Sequence, residues 1–211
     1  MNDFEQLAKS VIIKYKNKKP ELVDYDKSLS LTGVGRSAFV FKIKATNKVM
    51  KVSFPKHHYI AQEEADIYSS IQHIDYYPTL HEAGSNYIVI DYIEGYTFFE
   101  CLTLGIRISE EEIKEVDNAL YLARKEGLNP SDIHLRNIFK TFKGEIKMID
   151  VARFRQTKAC NQWGDLKGAY RFYTKPFFPK KIPACILNGI AAFYKNVYRK
   201  DAIPENVNAN S

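Results

Sequence analysis

Residues 127–154, GLNPSDIHLRNIFKTFKGEIKMIDVARF, constrain the fold of this chain more than any other stretch. Two β-prone runs, 138–142 and 145–149, flank Lys143-Gly144, and the pattern predicts a β-hairpin with a tight turn. With that turn, Asn137 lies opposite Asp150 at the open end of the hairpin. Asp132 precedes them in a polar loop that follows Gly127 and Pro130. One mouth thus gathers two carboxylates and one amide oxygen. Hard oxygens of this kind suit Mg²⁺ when substrate phosphates complete its shell, and Asp132 is then free to face a hydroxyl. Taken alone, the same residues also read as a solvated polar hairpin mouth, and the rest of the chain has to decide.

The chain is long enough for a real core. At 211 residues, 45% of them hydrophobic and 27% charged, it suits one domain or two small lobes. No apolar run approaches the length needed to span a bilayer. The opening MNDFEQLAKS carries acids where a secretory signal carries bases, so a cytoplasmic protein is expected. Cys101, Cys160 and Cys185 are far apart and form no CxxC pair. They read as free, mostly buried thiols in a reducing compartment, which argues against a disulfide or zinc framework.

The net charge of +6 is unevenly spread: residues 151–200 hold eleven Lys or Arg against one acid, Asp165. The same segment is rich in Phe and Tyr and carries Trp163. It is either a solvated basic face or a surface for an acidic partner such as RNA, a ribosomal particle, an acidic protein or an anionic membrane. Binding of a nucleic acid there would weaken steeply with salt.

Taken in order, the chain alternates clear signals. Phe4, Leu7, Ala8, Val11 and Ile12 keep helical spacing after Asp3, a suitable N-cap. KYKNKKP then reads as a solvated basic linker, or else a docking patch. Residues 29–43 read as strand, glycine turn, strand, with Gly33 and Gly35 free to adopt positive φ and Ala38 as a third small residue. Consecutive N–H groups in such a turn can cradle phosphate, although two glycines in a hairpin are often only a turn. Residues 48–54 form a strand with Lys51 inside it. That lysine either snorkels out or is held by an acid and a ligand. A helix over 59–71 places Glu64 on the apolar stripe of Ile60, Ile67 and Ile71, where a carboxylate needs a partner, and Lys51 is the obvious one. Residues 87–95 are an apolar strand entering a glycine turn. TFFECLTLG follows as a short helix. Ser109 and Glu112 then form a capping box before a helix with Ile113, Val116, Leu120 and Ala123 on one face, closed by Gly127. Two further helices, 161–173 and 184–198, flank a proline-rich stretch. The second sets Ile186, Ile190, Phe193 and Val197 in line.

The order of these features resembles the protein-kinase-like superfamily over roughly residues 25–200. GVGRSAFV is similar to the family's glycine loop, and VMK to its strand lysine motif. YIVIDYIEG looks like the segment that links two lobes, SDIHLRN like the catalytic loop, and IDVA like the metal-binding motif at a strand end. The resemblance implies an α+β, bilobal fold with a β-rich N-lobe and an abbreviated α-rich C-lobe. Its parts would be an N-terminal helix and basic linker (1–24), the N-lobe (25–93), the C-lobe (94–200) and a disordered tail (201–211). It also implies ATP and Mg²⁺ as ligands. Gly33, Val34, Gly35, Arg36, Ser37, Ala38 and Val40 would cover the phosphates. Lys51 would grip them, held by Glu64, while the Asp91 carbonyl and Ile93 N–H would meet adenine. Asp132 would be the base, and Asn137 and Asp150 the metal ligands. Asp165 would brace the catalytic loop.

The departures from the family pattern also inform. Pro130-Ser131 replaces the usual His-Arg, which removes an obvious receptor for an activation-loop phosphate. Val151-Ala152 follows Asp150 in place of Phe-Gly. The chain after Asp150 is short, so it is most similar to the compact atypical branch, RIO-like or small bacterial Hanks-type kinases. Three functions stay open at this point: a Ser/Thr kinase acting on a protein substrate, a small-molecule phosphotransferase, for which His134 speaks, and a nucleotide-binding pseudokinase scaffold.

Overall fold

Asp3 opens the first helix. Its carboxylate accepts the Glu5 N–H at 3.0 Å, and α1 runs over Phe4–Ser10. The computed structural model describes residues 3–158 and 160–200, the side chains of 195–200 excepted, and the tail expected at 201–211 lies outside them. Directly after α1 comes a hairpin, β1 (Ile12–Lys16) and β2 (Lys19–Asp24), paired antiparallel. This corrects the expectation of a basic linker. Asn17 and Lys18 both take positive φ, 50° and 64°, and two such residues in succession make a tight hairpin turn whose twist matches the strands.

The central sheet has five antiparallel strands: β3 (Leu29–Val34), β4 (Ala38–Ile43), β5 (Lys48–Ser53), β6 (Leu80–Ala83) and β7 (Tyr87–Asp91), ordered β3-β4-β5-β7-β6. Strand side chains alternate between faces, and here each face finds its own cover. Phe39, Phe41, Met50, Val52, Tyr87 and Val89 point one way and pack with Leu7 and Ala8 of α1 and partly buried Ile13 and Leu22 of the hairpin. Residues 3–24 thus supply a lid for the outer face of the sheet. Val49, Ile88 and Ile90 point the other way, into the larger core.

That larger core begins with α2 (His58–Ile71), which follows a 3-10 turn at Pro55–His57. Its buried face is Ala61, Glu64, Ala65, Ile67, Tyr68 and Ile71, with Ile60 at the margin. After β7 come β8 (Gly95–Thr97), α3 (Phe98–Leu104) and α4 (Glu110–Lys125). Ser109 and Glu112 cap α4 reciprocally, and Gly127 (φ +76°) turns the chain away beyond its end. β9 (Ile138–Thr141) pairs with β10 (Ile146–Met148) and, on its other side, with β8. A Cβ at Gly95 would run into the Lys140 carbonyl, so this strand contact requires glycine.

The register of the β9–β10 hairpin differs by one residue from the sequence expectation. Ile138 pairs with Met148 and Lys140 with Ile146, so the loop is Phe142-Lys143-Gly144. Gly144 (φ +86°) supplies the left-handed residue that closes a three-residue loop. Asn137 therefore meets Ile149, whose N–H donates to the Asn137 carbonyl at 2.9 Å. Asp150 lies one residue beyond, where the chain has left the ladder.

The remaining helices are α5 (Gln162–Tyr173), which sends Trp163 and Tyr173 into the larger core, and α6 (Ala184–Lys200). Leu187 of α6 is buried, whereas Ile186, Ile190 and Phe193 are exposed, as are Phe172 and Phe177 before it. Cys101 is buried, but Cys160 and Cys185 are exposed, against the expectation of mostly buried thiols; all three are free. Among the described residues no helix is long and apolar enough to cross a membrane. The chain is α+β, with a sheet-rich N-terminal part and a helix-rich C-terminal part, an arrangement compatible with a bilobal kinase-like fold.

Candidate active site

Strand alternation places Lys51. It sits in β5 opposite Val40 and Ile88, on the inner face with Val49. Its Nζ donates to both oxygens of Glu64, at 2.9 and 2.7 Å, and to Oδ1 of Asp150 at 2.9 Å. Three separate elements thus converge on one ammonium: a strand, the buried face of α2 and the end of the β9–β10 hairpin. Burial disfavours the charged lysine, but the two carboxylates outweigh it and hold Lys51 above the ordinary lysine range. Burial likewise pushes the Glu64 carboxyl up, and Lys51 draws it back. For Asp150, burial alone would raise the carboxyl; Lys51, with His134 and Arg36 behind it, holds it below the usual aspartate value.

Asp132 and Asp150 share an unusual backbone. Both have left-handed φ, 61° and 62°. Side chains other than glycine adopt that conformation at a cost of about 1 kcal/mol or more, and such residues cluster where the surroundings fix them for a purpose. The surroundings are visible here. The Asp150 N–H donates to the hydroxyl of buried Tyr68 at 3.2 Å. Asn129, three residues before Asp132, donates its side-chain amide to the carbonyls of Gln156 and Lys158, and its own N–H to the Phe154 carbonyl. Phe154 and Val151 are fully buried, with Phe154 set edge-on to Tyr77. The loop of Asp132 is thereby stitched to the segment that follows Asp150.

Arg36, in the β3–β4 turn, donates to Oδ2 of Asp132, and Arg153 lies 3.5 Å from the same oxygen. The turn itself is closed by the Gly35 N–H on the Ala38 carbonyl at 2.8 Å, while Ser37 accepts from the Phe54 N–H. Gly33 and Gly35 do not use positive φ, which corrects that expectation. A Cβ on Gly35 would meet the Ala38 carbonyl at 3.4 Å, about ordinary contact distance. Val34 is exposed and Val40 half-buried on the inner face. Beneath the turn lies a cleft of about 420 Å³ lined by Arg36, Lys51, His57, Asp132, Asp150 and Arg153 among others. A hollow of similar size behind the loop, lined by Ser70, Leu128, Asn129 and Arg155, contains none of the candidate groups.

The remaining candidates occupy the edges of this site. Asn137 is 7% exposed, and its side-chain amide, which is not enclosed, makes no hydrogen bond to a protein group among the described residues. Asp150 uses Oδ1 for Lys51, which leaves Oδ2. An amide oxygen and a carboxylate oxygen fit Mg²⁺ when phosphate and water complete the shell. Among the described residues no three His, Cys, Asp or Glu side chains gather to hold a metal by themselves. Asp91 ends β7; its carboxylate accepts from the Thr79 N–H and pairs with His81. The Ile93 N–H has no backbone partner among the described residues. Asp165 accepts from Asn161 and from Tyr194.

Sequence reasoning missed the bond from Arg36 to Asp132, the approach of Arg153, the Tyr68 hydroxyl and the Asn129 tie. Only Asn129 left a local signal, as a polar residue just outside a helix end. The other three contacts join residues more than twenty positions apart.

No family model matches the chain. A curated protein that it resembles is the putative serine/threonine-protein kinase YrzF of Bacillus subtilis (strain 168), 46% identical over 194 residues that cover 90% of each chain. With that identity along nearly the whole length, the chain belongs to the family of this putative kinase.

Proposed function

We propose that this protein transfers the γ-phosphoryl group of ATP, with Mg²⁺, to the hydroxyl of a Ser or Thr in a protein substrate. In this reading it is a compact, atypical member of the protein-kinase-like superfamily, of the RIO-like or small Hanks type. The observation that carries the reading is the Lys51–Glu64–Asp150 ion cluster beside Asp132 in one cleft. The turn of Gly33, Val34, Gly35, Arg36, Ser37 and Ala38 covers the phosphates, Lys51 holds them, and Val40 packs under adenine. The Asp91 carbonyl and Ile93 N–H take the adenine edge. Asn137 and Asp150 hold Mg²⁺, which neutralises charge on the phosphates when bound.

Asp132 orients the acceptor hydroxyl and takes its proton. The acceptor oxygen forms a bond to the γ-phosphorus as the bond to the bridging oxygen breaks, and ADP departs. Such a transfer needs positioning and fixed charge more than covalent chemistry, and few residues suffice for it.

Purified protein incubated with radiolabelled ATP, Mg²⁺ and casein tests the reading. Label on casein or on the protein itself, lost in Asp132→Ala, is the expected result. A small-molecule phosphotransferase is the second reading, favoured by His134 two residues after Asp132 and by the short chain after Asp150. It would release ADP only with a metabolite acceptor. Nucleotide binding without transfer to any acceptor would overturn both in favour of a scaffold.

A further inference from the structure

Two guanidinium groups reach one carboxylate oxygen at the mouth of the cleft. Arg36 comes from the β3–β4 turn and Arg153 from the segment after Asp150, and both meet Oδ2 of Asp132. Their side chains remain 63% and 51% exposed, so most of each donor fork faces solvent. Each guanidinium carries five N–H donors; Asp132 accepts a hydrogen bond from one of Arg36's and has Arg153 at ion-pair distance only. Exposed ion pairs contribute little to stability, which makes Asp132 a partner that a better anion can displace. Neighbouring Arg155 is turned the other way, 3.8 Å from Asp66. The same cleft wall carries His57, whose Nδ1 is buried without a partner among the described residues.

A hydroxyl must come within hydrogen-bond reach of Asp132 to lose its proton there. To do so it has to share the Asp132 carboxylate with these two arginines. An acceptor whose hydroxyl is flanked by an anionic side chain resolves the conflict, because the arginines can move onto that anion while Asp132 takes the hydroxyl. A planar fork matches a carboxylate or phosphate with two parallel hydrogen bonds.

We propose that Arg36 and Arg153 form an anion subsite for the acceptor, and that the substrate is a Ser or Thr segment with an acidic or phosphorylated side chain beside the hydroxyl. This inference rests on the kinase reading for the role of Asp132, but its binding element is tested separately.

The experiment uses the full chain with Mg²⁺ and a saturating non-hydrolysable ATP analogue, so that the nucleotide phosphates already have their partners. Two fluorescein-labelled peptides are compared by anisotropy. Both carry Ala in place of the acceptor; one is flanked by Glu, the other by Lys. The acidic peptide is expected to bind at least about tenfold more tightly, as charge-assisted bonds to two arginines require. Arg153→Glu reverses the preference, and Arg153→Lys keeps its sign. Thermal melting followed by circular dichroism checks that both variants are folded; Arg153 is a surface residue, and both substitutions leave the core intact. Equal binding of the two peptides, tighter binding of the Lys peptide, or an unchanged preference in Arg153→Glu overturns the proposal. Serine versions of the same peptides with radiolabelled ATP report on transfer. Transfer without acidic preference removes the subsite and keeps the kinase; acidic preference without transfer does the reverse.

Discussion

Two ion clusters stand side by side in the cleft and differ in their relation to water. Lys51 and Glu64 are 15% and 2% exposed, and Lys51 bridges both Glu64 oxygens and Asp150. Arg36 and Arg153 are more than half exposed and meet Asp132 through one oxygen. Lys51 and Glu64 are out of water, so their charges depend on each other and removing one strands the other, while Asp150, 40% exposed, closes the cluster at the cleft edge. The second keeps its hydration, so its pairs can be exchanged at little cost. Burial thus separates a fixed part of the site from an adaptable part. In the proposed reaction the fixed part serves ATP, which is the same in every turnover, and the adaptable part serves the acceptor.

Substitutions break or sharpen this contrast in a definite order. Asp150→Ala has the largest expected effect. It removes a partner of Lys51 and the proposed metal ligand together, and Mg²⁺-dependent turnover should fall by at least about 100-fold; turnover within a few-fold of wild type would remove Asp150 from the proposed mechanism. Glu64→Ala leaves Lys51 buried beside a single partner. Unfolding by urea should show a loss of about 3–5 kcal/mol, the usual cost of orphaning one member of a buried pair. A loss below about 1 kcal/mol would mean that water reaches the pair.

The pH dependence comes next. The folded protein holds the Asp150 carboxyl below its ordinary value, so the stabilisation from its pairing is fully present above about pH 4 and is lost as pH falls through the depressed value. The stability difference between wild type and Asp150→Asn should therefore shrink on acidification in that window. A difference that stays constant with pH would assign it to packing. Arg36→Ala has the smallest expected effect on stability, within about 0.5 kcal/mol, because the pair it breaks is exposed. A larger loss by the same urea titration would make the second cluster structural as well.

Much of the fold was legible in local pattern. The glycine turn between two strands, the strand carrying Lys51, the helix carrying Glu64 and the capped helix at Ser109 all lie where periodicity and capping residues put them. The joining of Lys51 to Glu64 was also legible, since a carboxylate and a lysine on inner faces of adjacent elements have few other partners. Local pattern was less informative for KYKNKKP. Its charge suggested a solvated linker, yet Tyr15 and Lys16 pair with Pro20 and Lys19 across a turn at Asn17-Lys18. Strand edges tolerate lysine because only alternate side chains need to be buried.

The sequence by itself determined the elements: where helices start and stop, which strand faces are apolar, and which carboxylates must find a cation. These follow from interactions within a few residues, and the chain carries them wherever it goes. Tertiary structure decided three things. It set the β9–β10 register, where Gly144 in the left-handed region lengthened the loop by one residue and moved Asp150 off the ladder. It chose the cover of the outer sheet face, where Leu7, Ala8, Ile13 and Leu22 of residues 3–24 pack on Phe39, Phe41 and Met50. And it brought Arg36, from the β3–β4 turn, and Arg153, from the segment after Asp150, to Asp132. Ion pairing between distant residues depends on where whole elements pack, and no periodicity along the chain encodes that distance.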